Sequence, residues 1–225
     1  MSDLPTLVLG GGIIDRQLAE PERLLLAYQE DEGRRYLEQT PITPHDRIVP
    51  EDLAVTLLLN SRVGWKAYKS IQDLGPSIDL STLPPVALEA TSASQRDAVA
   101  SLIGEVVRWP GFAASVATKV LHKKRPALIP VLDNQAIFGA YMNAQWPDSR
   151  SRADSVWAIG TVRDALERIS YDLTRAENAA AWVGLQSVEP ERSAIELLDM
   201  VWWSYFRRLE PVGSGVVAVP PVAAQ

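Results

Sequence analysis

The sequence predicts an all-α fold, built as a helical bundle of two lobes. Three observations support this class. Apolar residues recur at helical spacing along most of the chain, and alternating strand patterns are nearly absent. Prolines, glycines and capping residues separate these periodic segments. The length of 225 residues, with 47% hydrophobic and 22% charged residues, is typical of a globular protein with a sizeable core.

The first 20 residues are predicted to form an N-terminal arm. An apolar run, Leu7 to Leu9, precedes Gly10, Gly11 and Gly12 and fits either a short strand and turn or an ordered arm. The glycines lack the spacing of a dinucleotide-binding motif, and no βαβ pattern follows them. We therefore expect the glycines to form a turn.

Residues 21–210 are predicted to form the helical domain. A first helix runs from Pro21 to about Glu38, and Pro50 with two following acids begins a second, buried helix. The segment 73–85 is rich in Gly, Pro, Ser and Asp, so we expect it to connect the two lobes. Ser94 with Asp97 predicts the start of a third helix.

Trp109, Pro110 and Gly111 end that third helix, and a new helical pattern follows almost at once. This predicts two helices joined by a tight turn. Further helices are expected at four places, after Asn134, around Asp154, near Asp172 and at Ser193, where Glu196 completes a capping box. Asp199 lies within the apolar last helix, so we expect its carboxylate to be paired with an arginine or an amide. Residues 211–225 are predicted to form a flexible C-terminal tail.

Composition excludes several kinds of site. The absence of cysteine excludes disulfides, thiolate zinc sites and cysteine nucleophiles, and two histidines exclude a triple-histidine metal centre within one chain. We expect no metal and no cofactor. No apolar run approaches the roughly 20 residues that span a bilayer, and the N-terminus lacks the pattern of a signal peptide. We therefore expect a cytoplasmic protein without a membrane partner.

The distribution of charge suggests one place for contact with nucleic acid. The net charge of −6 opposes indiscriminate adhesion to nucleic acid. From Val106 to Leu132, however, there is no acidic residue, and five basic residues occur: Arg108, Lys119, Lys123, Lys124 and Arg125. Two interpretations stay open, a local nucleic-acid-binding patch and a solvated helix end whose cations complement the helix dipole.

Asp133 is the candidate catalytic residue. It follows the apolar run Ile129 to Leu132 and precedes Asn134, so it lies where a helix N-cap would lie. A capping role alone would explain the residue. The alternative is an ionised carboxylate in a partly dry cleft, which could stabilise a developing positive charge or orient water. His122 is interpreted as a packing or surface residue at a helix end.

Two segments together resemble the core of the helix-hairpin-helix DNA glycosylase superfamily. They are Trp109-Pro110-Gly111-Phe112-Ala113-Ala114-Ser115-Val116-Ala117 and Ile129-Pro130-Val131-Leu132-Asp133-Asn134, in which Asp133 follows Gly111 by 22 positions. In that superfamily the hairpin binds a DNA phosphate, and the aspartate sits beside the flipped nucleotide. Ser115 occupies the position of the nucleophilic lysine, so the chain is similar to the adenine-specific mismatch branch, which lacks that lysine.

The resemblance implies a glycosylase-like fold, double-stranded DNA as the partner, and a monofunctional DNA N-glycosylase active in base excision and DNA repair. It assigns catalysis to Asp133. The second hairpin glycine is replaced by Ala113, which we expect to weaken phosphate binding. The implied DNA-binding residues are Gly111, Phe112, Ala113, Ser115, Lys119, Lys123, Lys124 and Arg125.

A second resemblance is tighter. The string from Lys119 to Asp133 looks like an uncharacterised bacterial family with no assigned activity. Three functional classes therefore stay open: a base-excision glycosylase, a nucleic-acid-binding module without turnover, and a protein-interaction module that retains the fold. The sequence does not indicate the oligomeric state or the target base.

Overall fold

The computed structural model describes residues 5–13, 15–30, 40–58, 63–132, 141 and 159–209. This part of the chain is mostly helical, which confirms the predicted helical class. Two short strands are present, β1 (Thr6–Leu9) and β2 (Arg16–Ala19). The α-helices in the described part are α1 (Pro21–Gln29), α2 (Ala54–Leu58), α3 (Trp65–Leu74), α4 (Ala93–Val107), α5 (Ala114–Lys124), α6 (Ile159–Thr174), α7 (Ala179–Val188) and α8 (Ala194–Leu209).

The N-terminal arm is a β-hairpin docked on the helices. Strands β1 and β2 pair antiparallel, with Thr6 opposite Ala19, and the glycines form the turn between them, as predicted. Successive side chains of a strand point to opposite faces, and one face of this hairpin buries three leucines in the core, namely Leu7, Leu9 and Leu18. The arm is therefore part of the folded body.

A buried aspartate on α6 holds this glycine turn. The amides of Gly10 and Gly11 donate to the Asp172 carboxylate at 2.7 and 3.0 Å. Gly11 has a φ of 68°, and a Cβ at this position would lie 2.4 Å from the Cβ of Arg168, so only glycine fits. Burial raises the pKa of Asp172, and the two amides oppose that shift.

The helix expected to begin near Asp172 was therefore wrongly placed. Asp172 lies inside α6, where it satisfies the glycine turn, and α7 begins at Ala179 after a short 3₁₀ turn. The capping box of α4 uses Ser92 and Gln95, two residues before the predicted pair. The predicted capping box at the start of α8 is confirmed, since the Ser193 amide donates to the Glu196 carboxylate at 2.9 Å.

The core lies between packed helices. Helix α1 packs against α8, and α4 packs against both α5 and α6. The Trp202 indole is fully buried and donates to the Tyr141 hydroxyl at 3.4 Å. Helix α3, which the sequence patterns do not predict, extends to Leu74, so the expected connection at 73–85 begins in a helix and continues through 3₁₀ turns.

Helix α1 ends at Gln29, with Glu30 as its C-cap, so the predicted end near Glu38 is wrong. Several other predicted features lie outside the described residues: Asp133 itself, the helix starts after Asn134 and around Asp154, and the tail 211–225. The division into two lobes stays a prediction. Among the described helices, none combines the length and the apolar character needed to cross a bilayer.

Candidate functional site

The turn between α4 and α5 has the geometry that the sequence predicts. Helix α4 ends at Val107, and the Phe112 amide donates to the Trp109 carbonyl at 2.9 Å to close the turn. Gly111 has a φ of 85°, and a Cβ there would lie 2.5 Å from the Ala67 amide nitrogen of α3. A glycine is therefore required both by the backbone conformation and by the close approach of α3.

Ala113 stands where the resemblance places the second hairpin glycine. Its φ of −122° and ψ of 171° are extended, so the methyl group replaces a glycine without steric cost to the backbone. The residue is exposed at the N-cap of α5, and its side chain provides no cap. The first amides of α5 point away from the helix body, where they can donate to an acceptor outside the helix.

Two of the predicted DNA-binding lysines, at the opposite end of α5, are bound to a buried aspartate. Asp52 is 0% exposed, and its carboxylate lies 2.7 Å from the Lys124 ammonium and 3.4 Å from the Lys123 ammonium. The Val49 amide and the Thr43 hydroxyl also donate to Asp52, at 2.8 and 2.5 Å. The pairing lies within the protein, and the segment 40–53 is thereby fastened to α5.

The ammonium groups of these lysines also donate hydrogen bonds to main-chain carbonyls. Lys123 donates to the Pro41 carbonyl and Lys124 to the Pro44 carbonyl, each at 2.7 Å. Burial lowers the pKa of Lys124, and the hydrogen bond that Lys124 donates to Asp52 opposes that shift. Arg125 donates to the Leu80 carbonyl at 3.0 Å. These cations thus have partners inside the fold.

The remaining predicted contact residues divide by exposure. Lys119 is only 9% exposed. Phe112 is half-buried and packs edge-on against Trp109, with ring centroids 5.4 Å apart. Ser115 is half-buried in the first turn of α5, and Gly111 is exposed beside it. Gly111 and Ala113 are therefore the exposed members of the predicted set.

Three side chains hold the segment that leads to Asp133. The Val131 amide donates to the Asp199 carboxylate of α8 at 3.2 Å. This confirms that Asp199 is paired with an amide. The His122 Nδ1 lies 2.6 Å from the Ile129 carbonyl. These contacts come from α8 and α5, so both helices fix the path of residues 129–132.

The third contact, from Thr118, joins the segment to the start of α5. The Thr118 hydroxyl is buried, accepts from the Leu132 amide at 3.0 Å and donates to the Ala114 carbonyl at 2.8 Å. A single side chain therefore links the first turn of α5 to the residue immediately before Asp133.

His122 lies in a desolvated setting between α5 and α8. Burial lowers the pKa of His122, while its bond to Ile129 and the nearby Glu196 carboxylate oppose the shift. The pKa of Glu196 is lowered overall: burial raises it, but hydrogen bonds from Ser193 and the charge of His122 outweigh burial. The position fits the predicted packing role of His122 at a helix end.

Sequence reasoning missed Thr118 and the pairing of Asp52. In the sequence Thr118 is only a β-branched polar residue within a predicted helix, and no pattern indicates its hydrogen-bond partners. Asp52 was recognised as an acid in a first helical turn, but its partners lie 71 and 72 positions away, as Lys123 and Lys124. Within the described ranges, no three acidic or histidine side chains come together as a metal site.

Comparison with known proteins identifies a family but no activity. No curated protein and no solved structure matches the chain. No comparison links it to the glycosylase superfamily. A family model described as "Family of unknown function (DUF6308)" matches residues 28–206, which is most of the chain. The chain therefore belongs to this family.

Proposed function

We propose that this protein is a monofunctional DNA glycosylase of the helix-hairpin-helix type, which binds a DNA phosphate at the α4–α5 turn and uses Asp133 in base excision. One observation carries the proposal. The Thr118 hydroxyl connects the first turn of α5, through Ala114, to Leu132, the residue before Asp133. A phosphate at the turn and a nucleotide at Asp133 would be held in one fixed relation by this bridge.

The conformation of the turn supports phosphate binding. Gly111 allows the chain to reverse closely before α5, and the helix dipole adds partial positive charge at the N-terminus of α5, next to the exposed Ala113. Arg108 is exposed at the end of α4 and adds a full charge next to the turn. Lys123 and Lys124 are left out of the proposed contacts, because their ammonium groups hold Asp52.

The proposed chemistry is hydrolysis of the N-glycosidic bond. As the bond from the sugar C1′ to the base breaks, its electron pair leaves with the base and the sugar acquires oxocarbenium character. An ionised Asp133 stabilises that cation or orients the water that attacks C1′, and the base leaves after taking up a proton. Ser115 stands where a Schiff-base lysine would be required, so strand cleavage is not expected.

The buried cations favour one alternative, a non-catalytic member of the fold that acts as a nucleic-acid-binding or protein-interaction module. The net charge is −6, and two cations of the basic segment neutralise Asp52 inside the protein. Because these two cations are paired inside the protein, the basic segment attracts a polyanion less strongly, so of these two modules the protein-interaction module is favoured.

Base release from a panel of mismatched and damaged duplexes tests the proposal. We expect the wild-type chain to release a base from at least one duplex, and Asp133→Asn to lower the rate by at least about tenfold, equivalent to 1.4 kcal/mol. Asp73→Asn is the control, because Asp73 is an exposed carboxylate on α3. Duplex binding without release would favour the binding module, and absence of both would favour the protein-interaction module.

A further inference from the structure

An exposed aromatic pair lies at the start of α3. The Trp65 side chain is 70% exposed although it is the first residue of a helix that packs on the body of the protein. Its ring stacks on Tyr68, with centroids 5.2 Å apart and an interplanar angle of 20°. The stack stiffens both rings and leaves most of the indole surface in water, which costs hydrophobic free energy unless a ligand covers it.

This pair forms one wall of an open cleft. The cleft has a volume of about 500 Å³, within the size range of small-molecule sites. Pro41, Pro50, Leu53 and Glu51 are among its other lining residues. The cleft is thus a flat aromatic surface with apolar neighbours and few polar groups.

Helix α3 is fastened to the α4–α5 turn. The Ser70 hydroxyl donates to the Pro110 carbonyl at 2.8 Å. The Gly111 backbone approaches α3 so closely that a Cβ would meet Ala67 and Lys66. Lys66 is exposed and lies between the turn and Trp65 along α3. Lys66 therefore lies next to the turn in space and next to Trp65 along the chain.

We propose that the Trp65–Tyr68 pair is a stacking platform for an unpaired nucleobase, with Lys66 contacting the backbone of the same strand. The identity of this ligand as nucleic acid rests on the proposed function of the neighbouring turn. Stacking on an aromatic face recognises single-stranded nucleic acid without a sequence code, because every base offers such a face. The cation beside the ring matches the phosphate that accompanies each base.

Binding of a labelled 12-nucleotide oligo(dT), followed by fluorescence anisotropy across a salt series, tests this proposal. We expect Trp65→Ala to weaken binding by about tenfold with an unchanged salt dependence, since stacking releases no counterions. Trp65→Phe keeps an aromatic face and should retain most of the affinity. Lys66→Ala should weaken binding and lower the salt slope by about 0.7, the value for one phosphate of a single strand.

Val183→Ala is the matched control, because Val183 is 71% exposed on α7. The proposal is overturned if Trp65→Ala binds the oligonucleotide as the wild type does, or if the wild type binds a proline-rich peptide in the cleft and no oligonucleotide. This result is separable from the proposed function. Oligonucleotide binding that depends on Trp65, without base release, would support the stacking platform and contradict the glycosylase assignment. Base release together with oligonucleotide binding that does not depend on Trp65 would support the glycosylase assignment and contradict the stacking platform.

Discussion

Replacement of Asp52 by alanine removes the carboxylate from a buried ion pair. The carboxylate is fully buried and lies 2.7 Å from Lys124, whose side chain is 1% exposed. Asp52→Ala leaves this ammonium buried without its counter-charge, which typically costs about 3–5 kcal/mol. The Val49 amide and the Thr43 hydroxyl also lose their acceptor. We expect a loss near the upper end of that range, a large fraction of a domain's stability of about 5–15 kcal/mol.

Urea unfolding followed by circular dichroism measures this loss. Asp73→Ala is the matched control, because Asp73 forms an ion pair with Lys69 at a similar distance, 2.8 Å. The side chains of Asp73 and Lys69 are, however, 54% and 56% exposed. Removing such a surface pair should cost less than about 1 kcal/mol. Adding Lys124→Met to Asp52→Ala should recover part of the loss, since no buried charge is then unpaired. Equal losses for Asp52→Ala and Asp73→Ala would refute the reasoning.

Three further predictions concern the site. Gly111→Ala should lower stability by more than about 1 kcal/mol and weaken duplex binding, because of the positive φ and the contact with Ala67; unchanged urea midpoint and affinity would contradict this. Thr118→Val should cost about 1–3 kcal/mol, since the buried Leu132 amide loses its acceptor, and should slow any base release; an isosteric variant as stable and active as the wild type would exclude the bridge. His122 has a lowered pKa, so below its ordinary value of 6.5 the unfolded chain binds a proton that the folded chain resists, and stability should fall as the pH falls. His122→Gln should flatten that fall below about pH 6.5 in urea titrations, and an unchanged slope would rule out His122 as its source.

Features that depend on neighbouring residues could be predicted from the sequence. The Ser193–Glu196 capping box is a local pattern with a known geometry, and the structure confirms it. The turn at Gly111 is equally local, because a Pro-Gly pair ends one helical pattern and another begins directly after it. The pairing of Asp199 followed from the cost of burying a carboxylate without a partner.

Features that depend on distant residues could not be predicted. The basic segment of α5 looked like a surface patch because its counter-charge, Asp52, is contributed by a segment some 70 residues earlier. The extended backbone conformation of Ala113 could not be inferred from its replacing a glycine of the family pattern. The exposure of Trp65 could not be predicted either, since an aromatic residue at helical spacing is usually part of the core.

Abasic-site formation under single-turnover conditions tests the central claim most directly, with duplex binding measured on the same samples. The account predicts that the wild-type chain converts a susceptible duplex and that Asp133→Asn binds that duplex with similar affinity but converts it at least about tenfold more slowly. Equal conversion rates for the two proteins would contradict the account, because base release would then proceed without the Asp133 carboxylate.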